Sequence, residues 1–230
     1  MLINLVKKDL ILVKKYLFIM LIFTTAAPLY LSSKLEFSSS GFIGFLLTVI
    51  IMEYILFMYV SKFEDKYKGA ALICATPYTR NAFVKAKYLF IFVLFICSVI
   101  IHIITVSIAP SSMERLNIHT FGITFLVLSI FFGILIPVQF KFGYDKTRLI
   151  SFVFVFLTPF ILPVLIKWLQ SHPVSLNTTL PFPQAIRAWV PCLISFVIGF
   201  ISMFVSLKIY AKRTLADVFS IRTSAFFMRF

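Results

Sequence analysis

Residues 64–89, EDKYKGAALICATPYTRNAFVKAKYL, are the longest run of the chain with a steady supply of charge, and a long apolar segment lies on each side. Those flanks, GFIGFLLTVIIMEYILFMYV at 41–60 and FIFVLFICSVIIHIITVSIA at 90–109, have the length and composition of bilayer-crossing helices, which need roughly 20 mostly apolar residues. The whole sequence agrees with them. Of 230 residues, 61% are hydrophobic and 13% charged, and mean hydropathy is +1.03. A soluble domain of this length could not cover its surface with so few polar groups. Phe occurs 29 times, which suits lipid-facing helices. The reading is an all-α integral membrane protein.

Working outward, six segments qualify as spans: 16–35, 41–61, 88–109, 119–139, 149–170 and 189–209. The connections at 36–40, 110–118, 140–148 and 171–188 are short, and the one at 62–87 is long. No repeat or low-complexity tract breaks this pattern, so one bundle of six helices accounts for residues 1–230. Orientation follows from Lys and Arg. With the N-terminus inside, only Lys34, Arg115, Lys167 and Arg187 fall outside, and the other 18 of the 22 basic residues lie in the entry segment, the long loop, the loop at 140–148 and the tail at 210–230 with its approach. This asymmetry places both termini in the cytoplasm. The net charge of +14 is thereby assigned to the inner membrane face rather than to nucleic acid.

Trp168 closes the fifth span and Trp189 opens the sixth, where amphipathic rings anchor helices at the outer interface. Pro159 and Pro163, one turn apart inside the fifth span, should kink it and free carbonyls that neighbouring helices must satisfy; a packing bend and a moving hinge both fit. Residues 1–35 imitate a secretory signal through a basic start and TTAAP at 24–28, but the basic region is long for one, and the segment is expected to be retained. Residues 1–15 read as an amphipathic entry helix lying in the inner headgroup layer, with Leu2, Ile3, Val6, Leu10 and Val13 on one face and Asn4, Lys7, Lys8 and Lys15 opposite.

Much chemistry is missing from the chain. The seven glycines form no phosphate-cradling GxxxxGK[ST] loop, and neither HExxH nor GxSxG occurs. Cys74, Cys97 and Cys192 make no CxxC pair, and His102, His119 and His172 have no partners at metal-ligand spacing. No catalytic, metal or cofactor site is expected. Glu53 stands apart as the only carboxylate inside a span. A charge there costs a few kcal/mol unless it faces the bundle interior or a partner. Two readings stand: a helix-packing hydrogen bond, or a polar point on a substrate path or subunit interface.

The opening stretch itself is helical rather than linker-like. Good helix formers run from Glu64 to Ala75. Pro77 breaks them, Thr79 is an N-cap, and Arg80 to Leu89 feeds the third span without a stop signal. Helix, proline turn and short helix make a rigid elbow over 62–87, able to pass force from a partner to the spans.

This arrangement resembles the permease subunits of type-2 ABC exporters. The resemblance rests on Glu64-Asp65-Lys66, Lys68 and Gly69, on Pro77-Tyr78-Thr79-Arg80, on Lys87-Tyr88-Leu89, and on Tyr210-Ala211-Lys212-Arg213 after the last span. It is nearest to small permeases of low-GC Gram-positive bacteria, among them exporters of phenol-soluble modulins, which are amphipathic cytolytic peptides. The resemblance implies a plasma-membrane subunit that pairs with a second permease, identical or not. Two separate ATPase subunits, which bind ATP and Mg, would dock on the elbow at Glu64–Gly69 and Pro77–Arg80. Glu53, Pro159 and Pro163 are the residues assigned to the cargo path, for an amphipathic peptide or lipid-like molecule. The rival reading is a non-transporting membrane protein, an immunity or scaffold factor, which needs no elbow.

Overall fold

A single glycine shows how tightly the chain is folded back on itself. Gly143, at φ 84°, separates two long helices, its N–H donating to the Gln139 carbonyl at 2.9 Å while its own carbonyl accepts from the Thr147 hydroxyl at 2.8 Å. Only glycine takes that backbone conformation at little cost. The connection expected over 140–148 is thus reduced to one residue.

The computed structural model describes residues 2–34, 40–67, 80–108, 117–171 and 184–227, and every element among them is helical. In chain order these are α1 (Leu2–Leu12), α2 (Lys14–Lys34), α3 (Ser40–Lys66), α4 (Arg80–Ile108), α5 (Ile118–Phe142), α6 (Tyr144–Ser171) and α7 (Gln184–Phe227). Among the described residues, four stretches are long and apolar enough to cross a membrane: Gly44–Lys66, Asn81–Ile108, Thr120–Phe142 and Trp189–Lys212. They coincide with the second, third, fourth and sixth expected spans. The first and fifth expected spans fall on α2, of 21 residues, and α6, of 28.

Helix ends follow local chemistry. Asn117 caps α5, its Oδ1 accepting from the Ile118 N–H at 2.7 Å. α7 does not stop at the expected end of the last span, 209, but runs on to Phe227. No glycine or proline follows Gly199, so the sequence offers nothing to break it. Six hydroxyls inside the apolar helices are satisfied within their own helix. Thr48, Ser61, Ser98, Thr105, Thr124 and Ser195 each donate to the carbonyl four residues back. That is the local solution available where water is absent.

α3 is the central helix, with Phe45, Leu46, Val49, Ile50, Leu56, Phe57 and Val60 all buried. It packs on α2, α4 and α6, and more lightly on α5. The largest pairing is α5 with α7. Those two run parallel in a steady register: Phe125 meets Phe196, Gly133 meets Ser202, and Phe140 meets Tyr210. α4 runs antiparallel to both, since Phe92 touches Phe125 and Phe196 while Phe83 touches Phe140 and Tyr210. α6 is peripheral, exposing a row of contacting rings, Phe152 stacked on Phe156 and Phe156 tilted against Phe160.

The entry helix departs from its expected orientation. Val6 and Val13 are buried as expected, but Ile3 is 75% exposed, and Leu5 and Asp9 are buried instead. The buried set Leu5, Asp9 and Val13 follows the i, i+4, i+8 stripe of one helix face. That face lies chiefly on α4. α1 therefore docks on the bundle, where a headgroup-bound helix would show its whole apolar face to lipid.

Candidate functional site

Four charged side chains meet where α1, the end of α3 and the start of α4 converge. Lys87 Nζ lies 2.8 Å from Glu64 Oε1 and 3.2 Å from Asp9 Oδ2. Lys8 Nζ lies 3.2 Å from the same Glu64 oxygen and 3.1 Å from Asp9 Oδ1. Two cations thus alternate with two carboxylates. Asp9 is 1% exposed and Lys87 3%, so each has its burial offset by an oppositely charged neighbour in this closure. The Phe83 ring forms the adjoining wall, 5.5 Å from the Lys87 ammonium and 6.0 Å from that of Lys8. Burial works against the Lys8 charge, but Glu64 and Asp9 outweigh it and hold the ammonium above its ordinary pKa.

The residue after Lys87 faces the other half of the bundle. Tyr88 Oη lies 2.7 Å from Ser202 Oγ and 2.7 Å from Ser206 Oγ on α7. Ser202 Oγ in turn donates to the Gly133 carbonyl of α5 at 2.6 Å. Two successive residues of α4 therefore grip opposite sides, Lys87 holding α1 and α3 and Tyr88 holding α5 and α7. Displacing the first turns of α4 must strain both contacts at once.

The residues assigned to the elbow are distributed around this network. Glu64 turns inward and is one of its four members. Asp65 and Lys66 are exposed, and Lys66 Nζ lies 5.4 Å from the Tyr67 ring centre. Arg80 opens α4, although its side chain, like Lys68, Gly69, Pro77, Tyr78 and Thr79, lies outside the described residues. The expected helical run from Arg80 into the third span is present as one unbroken helix. Of the expected cargo-path residues, Pro159 and Pro163 lie within α6, with their side chains outside the described set.

Glu53 is 0% exposed on the central helix, and neither carboxylate oxygen has a hydrogen-bond partner among the described residues. The buried His102 ring lies tilted against Phe45, centroids 4.4 Å apart. Among the described residues, no group of three His, Cys, Asp or Glu side chains could hold a metal ion.

Asp9 is the residue that sequence reasoning missed. Its signal was available, as the only acid in the first 35 residues and one helical turn from both Leu5 and Val13. Amphipathic reading places charge outward by default, and so assigned Asp9 no role.

A family model described as ABC-2 family transporter protein matches residues 4–211. Comparison with curated proteins and with solved structures gives no match. The matched stretch takes in the entry helix, the four-charge network and every apolar helix, and the chain belongs to the ABC-2 transporter family, as a membrane-embedded permease component of an ABC transporter.

Proposed function

We propose that this permease is one of two membrane halves of an ATP-driven exporter for amphipathic peptide or lipid-like cargo. In this reading the bundle has six spans, α2 and α6 being the additional two, and lies in the plasma membrane with both termini cytoplasmic. ATPase subunits dock on the elbow 62–87 through Asp65, Lys66, Lys68 and Gly69 on one limb and Pro77–Arg80 on the other. Glu64, at the root of the first limb, ties that limb to the core. Cargo passes along a path bordered by Glu53 and the proline-bearing α6.

The observation that carries the reading is the four-charge network. It lies at the roots of both limbs, Glu64 on α3 and Lys87 on α4, and locks them to α1 through Asp9 and Lys8. A loop that only connected two spans would need no such anchorage. A lever does, because force applied at its tip is lost unless its base is stiff. The same apolar, Phe-rich helices favour amphipathic cargo over ions.

The test is the double variant Thr79→Ala/Arg80→Glu, expressed with its ATPase. Loss of a Thr cap costs about 1 kcal/mol, too little to unfold the bundle. Reversing Arg80 should repel an acidic groove on the partner. The expected result is normal membrane insertion with weakened ATPase copurification, or with hydrolysis no longer linked to export. Wild-type export with the ATPase still bound would reduce the elbow to a connection and favour the scaffold reading.

A further inference from the structure

A second feature lies on the opposite side of α4 from the charge network. A groove of about 400 Å³ runs between α4, α5 and α7 and is bordered at one end by Leu2 of α1 and Lys85 of α4. Its floor is buried and apolar, formed by Phe95, Leu128 and Phe132, and its rim carries the exposed Phe196 and Phe200. The geometry points to a binding site for one anionic phospholipid of the surrounding leaflet, with an acyl chain in the groove and the phosphate at Lys85.

Three observations select that occupant. The groove lies within segments of membrane-crossing length and composition, so what fills it comes from the hydrocarbon phase. Its length fits one leaflet. From Lys85 to Phe95 the helix rises roughly 15 Å, and a leaflet contributes about half of a 30 Å hydrocarbon core. Its charge is also placed at one end only. Lys8 and Lys87 are matched by Asp9 and Glu64, whereas Lys85 is exposed and pairs with no described carboxylate. The lone cation at the interfacial end of an apolar slot suits a phosphate headgroup. Tyr88, beside it, is occupied with Ser202 and Ser206 and adds no competing site. The slot is open beside Gly199, where a Cβ built on the backbone meets nothing within 4 Å. The site is independent of what the permease transports.

The experiment is native mass spectrometry of the purified full chain in detergent, titrated with phosphatidylglycerol or phosphatidylcholine. Wild type should retain phosphatidylglycerol preferentially. Lys85→Gln should weaken that retention about tenfold and leave phosphatidylcholine unchanged. Gly199→Leu, which projects into open space and should fold, ought to reduce retention of both lipids. Equal retention of the two lipids by wild type would overturn the assignment, as would phosphatidylglycerol retention unaltered in either variant. Preferential capture of a cationic amphipathic peptide by the same groove would also overturn it. Circular dichroism on each variant distinguishes loss of the site from loss of the fold.

Discussion

Lys87 carries more of the local electrostatics than any other side chain, because it faces two carboxylates and almost no water. Removing one partner of a buried ion set strands the rest. Lys87→Met should therefore destabilise the bundle by about 3–5 kcal/mol, whereas Lys8→Met, at a side chain 40% exposed, should cost under ~1 kcal/mol. Adding Asp9→Asn to Lys87→Met removes one charge of each sign and should recover part of the loss. Thermal melting in detergent reads all three, and equal losses for the two lysines would show that the network is not buried in practice. Lys8 also sets an alkaline limit. Its folded pKa is raised, so its contribution is complete below the lysine's ordinary value and disappears as pH rises through the folded value. The gap in stability between wild type and Lys8→Met should therefore be flat through neutrality and close only at strongly alkaline pH. Glu53 presents the converse case, since burial without a described partner costs stability. Glu53→Gln and Glu53→Leu should melt no lower than wild type, and export should survive Gln better than Leu because Gln keeps hydrogen-bonding capacity. Equal export by both would leave Glu53 as packing, and a sharp fall in melting temperature would reveal a partner holding it.

At the scale of elements, the parallel α5–α7 pair depends on close approach at Gly133. A Cβ added there would meet Ser202 Cβ at 3.5 Å, its Oγ at 3.6 Å and Ile198 Cγ2 at 3.8 Å. Those are ordinary contacts, so Gly133→Ala should be neutral or slightly stabilising, given the better helix propensity of alanine. Gly133→Leu has no room, should part the helices and break the Ser202–Gly133 hydrogen bond, and should cost about 1–3 kcal/mol. An intact Tyr88–Ser202 linkage in Gly133→Leu, read by melting temperature close to wild type, would argue against this register. The helices themselves were largely legible in sequence. Apolar runs of span length marked α3, α4, α5 and α7, and the absence of a stop after Arg80 marked the continuity of α4. What could not be read was set by single backbone events or tertiary partners. Nothing in the charge and apolar pattern over 140–148 distinguishes a loop from one left-handed glycine. Nothing in a basic amphipathic stretch reveals that Asp9 will find Lys87, 78 residues away. The deep placement of Glu53 was legible for the opposite reason, because its burial follows from the apolar residues on both sides of it.

At the scale of the whole molecule, the proposed reading makes the permease a force receiver rather than a motor. The last turns of α3 and α5, the first turns of α4, Lys8 and Asp9 of α1 and Tyr210 of α7 meet at one end of the bundle, through the charge network and the Phe83–Phe140–Tyr210 cluster. This is the end that the Lys and Arg asymmetry leads one to expect in the cytoplasm, where ABC ATPases work. Yet the chain has no glycine-rich loop to cradle a triphosphate. ABC-2 permeases generally work with an ABC ATPase partner, and in the proposed reading ATP-dependent behaviour arrives with that polypeptide. Two outcomes follow. The purified chain should show no saturable ATP binding by fluorescent-nucleotide titration at millimolar magnesium. Coexpression with its own ATPase should raise both the yield and the melting temperature of the permease, since a partner that binds only the folded bundle stabilises it by mass action. The second effect should disappear in Thr79→Ala/Arg80→Glu and persist in Lys85→Gln, whose side chain faces the lipid groove. ATP binding by the isolated chain would end the receiver reading, and stabilisation by the ATPase undiminished in the elbow variant would move the docking surface elsewhere.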